Sequence, residues 1–113
     1  MIFAISAKQP NLEGQVDERF GRCEYLIFFN SENNSFETQE NLAASQQGGA
    51  GVAAAQAVID NNAQAVISGA FGPNASRALQ AAGIEMYLFT PDVKTIQQAI
   101  DSMQRGELQK YAG

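Results

Sequence analysis

Short apolar runs alternate with longer amphipathic stretches along this chain, and the two periods separate strands from helices. Ile2-Phe3-Ala4-Ile5-Ser6 is a compact apolar run closed by the turn-forming AKQPN, which predicts a first strand. Tyr25-Leu26-Ile27-Phe28-Phe29 predicts a second, buried one. After the turn NSENNS, residues Ser35–Glu40 alternate towards a third, more exposed strand, so the pair reads as an antiparallel hairpin. Between the first two strands, residues 7–24 form a long irregular segment, the kind of loop that in a small domain usually carries function.

The remainder alternates helix and strand. The pattern predicts a helix over 50–61, a strand over Ala65–Ser68 and a helix over 74–82. In the last of these Ala75, Ala78, Leu79 and Ala82 make one stripe and Gly83 supplies the stop. A strand over 84–89 follows. A third helix is predicted from Thr90-Pro91-Asp92, where threonine suits the N-cap, proline the first turn and aspartate the helix dipole. It would bury Val93, Ile96, Ile100 and Met103 and end near Gly106, leaving the polar ELQKYAG to fray. Helices between the later strands imply right-handed parallel crossovers. The expected fold is therefore α/β: a mixed five-stranded sheet covered by helices. In such sheets ligands bind beyond the carboxyl ends of the strands. Three loops could reach that rim: residues 7–24, the loop Gly48–Gly51, and Gly69-Ala-Phe-Gly72.

Composition narrows the functional classes. At 113 residues the chain has room for one compact domain, and its 45% apolar and 17% charged content is that of an ordinary globular protein. No apolar run approaches the roughly 20 residues of a membrane span, and MIFAISAKQ lacks the basic start of a signal peptide. A cytoplasmic location is expected. The single cysteine, Cys23, fits a reducing compartment. A net charge of −5 with scattered basic residues argues against a nucleic-acid partner. Histidine is absent, which removes the commonest catalytic and zinc constellations.

Two stretches carry candidate chemistry. Gly49-Ala-Gly51-Val-Ala-Ala54 superficially matches a dinucleotide-binding fingerprint, but no strand feeds it directly, and a P-loop is excluded because no Lys-Ser/Thr pair follows the glycines. What remains is a helix entry whose backbone N–H groups favour an anion by about 0.3–1 kcal/mol. The alternative is close packing, which suits Ala53, Ala54, Ala55 and Ala57 but explains Gly48 and Gly49 less well. In Val16-Asp-Glu-Arg-Phe-Gly-Arg-Cys-Glu-Tyr25, Phe20 should anchor the loop and Gly21 permit a tight bend. Arg22 beside Cys23 would favour a thiolate able to bind a soft metal; the alternative is a small buried hydrophobe.

The MIFAIS start, Val16…Phe20-Gly21-Arg22-Cys23, the Gly48-Gly-Ala-Gly51 helix entry, Val66-Ile-Ser-Gly69-Ala-Phe-Gly72 and Leu79…Ala82-Gly83-Ile84 occur in an order that resembles one family. This is the dinitrogenase iron–molybdenum cofactor biosynthesis family, which includes NifX-type carriers and the C-terminal domain of NifB-type proteins. The resemblance spans nearly the whole chain. It implies a single domain over 1–113, with an ordered core over about 1–106, in a three-layer α/β/α ribonuclease H-like fold with a five-stranded mixed sheet. It also implies a non-catalytic carrier, linked to nitrogen fixation, that binds the iron–molybdenum cofactor or an iron–sulfur precursor and meets cofactor-assembly proteins as a monomer or weak homodimer. Where the family commonly shows His-Phe-Gly, this chain has Arg19. A protein-held iron–sulfur cluster ordinarily takes about four thiolates, so a chain with one thiol cannot assemble it alone. The resemblance points to a preformed anionic cluster held by Cys23 as metal ligand, by the glycine loops at Gly48, Gly49, Gly51, Gly69 and Gly72, and by Arg19 or Arg22 around Phe20 and Gly21. A cluster shared across a dimer is the other arrangement. A small-anion or metabolite module using the same loops without Cys23 is the competing function. A nuclease would need carboxylates grouped on the core strands, which the first strand lacks.

Overall fold

The computed structural model of the protein describes residues 1–45 and 48–111. Gln46 and Gln47 of the expected glycine-loop entry, and Ala112 and Gly113 of the tail, lie outside the described residues. The sheet has strands β1 (Ile2–Ala7), β2 (Tyr25–Asn30), β3 (Ser35–Glu40), β4 (Ala65–Ser68), β5 (Glu85–Leu88) and β6 (Gln109–Lys110), in the order β3-β2-β1-β4-β5-β6. β2 runs antiparallel to both β1 and β3, whereas β1, β4 and β5 are parallel. The mixed sheet is thus as expected, with six strands rather than five.

Strand alternation divides the apolar side chains between two faces. Ala4, Leu26, Phe28, Val66 and Met86 face helices α1 (Ala50–Asp60) and α2 (Pro73–Ala81), meeting Ala54, Val58, Ala75 and Leu79. Phe3, Ile5, Ile27, Phe29 and Ile67 face the other way, against Ile96, Ala99 and Ile100 of α3 (Ile96–Gln104). The result is three layers, with helices on both faces. Each fully buried Ile, Leu or Phe contributes about 1.5–3 kcal/mol, more than any helix propensity in the sequence.

Two expectations are corrected. The third helix does not start at Thr90: residues 91–92 form a turn, and the N-cap is Thr95, whose side chain accepts from the Gln98 amide while Gln98 reaches back to the Thr95 amide. Tertiary contacts hold the preceding segment out of the helix, because Val16 N–H donates to the Lys94 carbonyl and Gln15 bridges Thr95. Val93 is buried all the same, from the loop. The second correction concerns the tail, which is docked as far as Tyr111. β6 pairs antiparallel with β5, Tyr111 N–H donates to the Met86 carbonyl at 2.8 Å, and Lys110 Nζ lies 3.0 Å from Glu85 Oε2.

Candidate functional site

The long first loop is tied to the sheet at several points, and those ties build the site. Asp17 N–H donates to the Ser6 carbonyl at the end of β1, and Ser6 Oγ returns a hydrogen bond of 2.6 Å to the Asp17 carbonyl. Ser6 Oγ also lies 2.7 Å from Ser68 Oγ at the end of β4, so a buried polar seam joins two parallel strands at their carboxyl ends. Two residues on, Arg19 bridges Ala70, and Phe20 N–H donates to the Ala70 carbonyl. Phe20 is 1% exposed and its ring lies 5.4 Å from that of Phe71, so it anchors the loop as expected.

Anchored this way, the loop meets both helix starts of its layer. Gly21 backs directly onto α1: a Cβ there would stand 2.9 Å from the Gly51 Cα. Gly51 in turn faces α2, since its own Cβ would lie 3.1 Å from the Ala75 Cβ. Above these contacts opens a cavity of about 350 Å³. Its wall includes Arg19, Phe20, Gly21 and Arg22 from the first loop, Gly49 and Gly51 from the start of α1, and Gly72 from the start of α2. Seven of the ten residues singled out in the sequence therefore come together. Among the described residues Ala50, Ala70 and Ala75 also line the wall and were missed, because small alanines carry no chemical signature.

Both helices present their positive ends. The first amide bonded within α1 is that of Ala53, to the Gly49 carbonyl, and within α2 that of Ser76, to the Gly72 carbonyl. The amides of Ala50, Gly51 and Val52, and of Asn74 and Ala75, precede them and have no partner inside their helices. Both N-caps are glycines and so offer no side-chain oxygen to occupy these donors. Gly49 is needed for another reason as well, since its φ of 72° lies in the left-handed region.

The two arginines differ. Arg19 is paired side-on with Asp17, with Nε 3.4 Å from Oδ1 and Nη2 3.4 Å from Oδ2. The Asp17 side chain is only 2% exposed, and its hydrogen bond and charge raise Arg19 further above the ordinary arginine range. Arg22 donates from Nη1 to the Ala44 carbonyl at 2.9 Å and so ties the site to the short 3-10 helix Leu42–Ser45.

Three residues do not join the cavity wall. Gly48 faces open space outside it. Gly69 is a packing residue, because a Cβ there would lie 2.8 Å from the Glu18 Cα. Of the two readings offered for Cys23, its packing is that of the small buried residue. Its thiol is fully buried in the α1/α2-side core, donates to the Phe20 carbonyl at 3.1 Å, and lies 3.6 Å from Asn41 Nδ2. Burial, reinforced by the Asp17 charge, pushes it up to about 12. The neighbouring Arg22 does not produce a thiolate, since it reaches the Ala44 carbonyl instead. Cys23 packs here as a small core residue, away from the cavity wall. Among the described residues, no group of three or more Cys, Asp or Glu is placed to hold a metal ion, and no helix is long and apolar enough to cross a membrane.

Comparison with known proteins identifies the family. The model of the family described as dinitrogenase iron–molybdenum cofactor matches residues 1–106, and the chain belongs to that family. It is similar to the apo form of the orange protein from Desulfovibrio gigas, with 33% identity, a TM-score of 0.92, and coverage of 99% of this chain and 93% of that one. It is similar also to a candidate NifB protein from Thermotoga, at 31% identity and a TM-score of 0.84 over 96% of this chain and 91% of that one. No protein with a curated description matches.

Proposed function

We propose that the chain is a non-catalytic carrier domain whose rim cavity binds an anionic iron–sulfur or iron–molybdenum–sulfur cofactor, or its precursor. One observation carries this reading: two glycine-capped helix starts and two arginines converge on a single cavity of about 350 Å³ in a member of a cofactor family. That volume lies within the roughly 300–1,000 Å³ usual for small-molecule sites. Among its described residues the wall carries two guanidinium groups and two helix starts. Its described residues include no carboxylate, thiol or imidazole. The cargo is therefore held as an intact anion, through hydrogen bonds to its outer atoms rather than bonds to its metals. The helix ends contribute about 0.3–1 kcal/mol each, whereas a hydrogen bond to a charged group contributes about 1.5–3 kcal/mol. Guanidinium groups and helix-start amides would both donate such bonds to an anionic cargo.

The same reading takes the layered sheet as a ribonuclease H-like scaffold, which the antiparallel hairpin beside parallel crossovers supports. It places the carrier in the cytoplasm as a monomer or weak homodimer that exchanges cargo with cofactor-assembly proteins, without nucleic-acid or membrane partners. The net charge of −5 supports the absence of a nucleic-acid partner.

The test is an anaerobic titration with isolated iron–molybdenum cofactor and with a synthetic iron–sulfur cluster anion, followed by the visible absorbance that stays with the protein on gel filtration. Arg19→Ala and Arg22→Ala should each weaken retention about tenfold, equivalent to about 1.4 kcal/mol. Cys23→Ala should leave it unchanged. Retention lost with Cys23→Ala but kept in both arginine variants would sink this site. If neither cluster is retained while phosphate-bearing ligands raise the melting temperature, the protein is instead a module for small anions or metabolites.

A further inference from the structure

Asp17 lies under the site without lining it, and its bonding is unusually complete. Its main chain is clamped to β1 in both directions, by Asp17 N–H to the Ser6 carbonyl at 2.9 Å and by Ser6 Oγ to the Asp17 carbonyl at 2.6 Å. Its carboxylate is almost fully buried, whereas the Arg19 side chain is 65% exposed. Oδ1 accepts the Arg19 main-chain N–H at 2.9 Å, and the two carboxylate oxygens face Nε and Nη2 of the same residue. An arginine head has five N–H donors in a rigid fork. This pairing engages the Nε edge and leaves both Nη1 hydrogens and one on Nη2 unengaged by Asp17, in a residue that lines the cavity.

We infer that Asp17 is a positioning residue: a buried carboxylate, fixed by β1, that turns the Arg19 guanidinium so that its outer edge meets an anion in the cavity. The inference rests on the function proposed above and adds to it the residue that determines how one of the two cationic groups is presented. An exposed arginine ordinarily loses rotamer freedom when it binds, and a fixed partner removes part of that loss beforehand. The side-chain contacts of 3.4 Å are at the long end for hydrogen bonds, so the carboxylate steers the guanidinium without locking it. Ser6 and Ser68 complete the chain of support from the two parallel strands.

Asp17→Asn separates this role from a merely structural one. The amide oxygen still accepts the Arg19 main-chain N–H, so the bend survives, but the amide nitrogen sets a donor against Nη2. With tetrathiomolybdate and the synthetic iron–sulfur cluster anion as probes, Asp17→Asn should weaken binding about tenfold when Arg19 is present, a usual size for a supporting partner. In an Arg19→Gln background the same change should alter binding by less than about twofold, since its effect runs through the missing guanidinium. Arg19→Lys keeps the charge without the fork and should weaken binding about as much as Asp17→Asn. Equal losses from Asp17→Asn in both backgrounds, or wild-type binding by Arg19→Lys, would overturn the inference. If the wild type takes up neither probe, the proposed function fails. Asp17 is then judged by Arg19 Nε–H exchange in NMR spectra: a slowed signal lost in Asp17→Asn upholds the positioning, and its absence from the wild type ends it.

Discussion

The glycines beneath the cavity and those at its lip look alike in sequence and differ completely in space. Gly21 and Gly69 are pressed against other main chains, with a Cβ at either standing within 3.0 Å of a backbone atom. Gly49 and Gly72 face open space, with nothing within 4 Å of an added Cβ. The lower pair exists so that three loops can approach one another. The upper pair leaves the helix ends open, which the proposed binding role requires. Under the proposed function a glycine-rich signature is two signals overlaid, one of folding and one of binding, and substitutions should separate them.

The largest separation should come from pH, acting on the thiol sealed below the lower pair. Cys23 rises from its ordinary 9.0 to about 12 in the folded protein. Between those values the unfolded chain has released this proton and the native chain retains it, so the unfolded state gains as pH rises. The stability tied to Cys23 is fully present below 9.0 and falls by about 1.4 kcal/mol per pH unit up to about 12. Urea midpoints across this window should lose that slope in Cys23→Ala. An equal slope in the variant would mean that the thiol is not sealed.

Next in size are Gly21→Ala and Gly69→Ala. Each forces a methyl group against main chain and should cost about 1–3 kcal/mol by urea denaturation; Gly69→Ala, outside the cavity wall, should leave anion affinity of the folded fraction nearly unchanged. The smallest effects on stability belong to the lip. Gly49→Ala places a side chain at φ 72° and should cost about 1–2 kcal/mol. Gly72→Ala, at φ −71°, should change stability by less than about 0.5 kcal/mol. Both lip variants should nonetheless weaken cluster binding, because the new methyl group occupies the cavity mouth. A lip variant that binds normally would erase the distinction drawn between the two pairs.

Much of this architecture was legible in the order of apolar runs. Ser35–Glu40 and Ala65–Ser68 fall where the alternation puts them, and each predicted helix exists. The start of α3 was misplaced because Thr90-Pro91-Asp92 is a good local cap in isolation. The structure uses the capping box Thr95…Gln98 instead, where Gln15 pairs with Thr95. β6 escaped notice because it is held by main-chain bonds, the Lys110–Glu85 pair and the Tyr111 ring 5.5 Å from Phe71, with no apolar run of its own. The site's members were largely legible; their roles were not. Cys23 and Arg22 are adjacent yet point to the core and to the Ala44 carbonyl respectively, and adjacency in a loop does not reveal this. Asp17 gives no signal in the sequence beyond lying in the first loop, and its role emerges only when Ser6 and Arg19 are brought around it.

The inward turn of the one sulfhydryl has a practical consequence. Handling in air should neither cross-link copies of the chain nor spoil its rim, and maleimide reagents should pass over the native molecule. A cysteine introduced on the exposed hairpin strand would then be a unique handle for a fluorophore or spin label, from which cargo arrival could be followed at a distance.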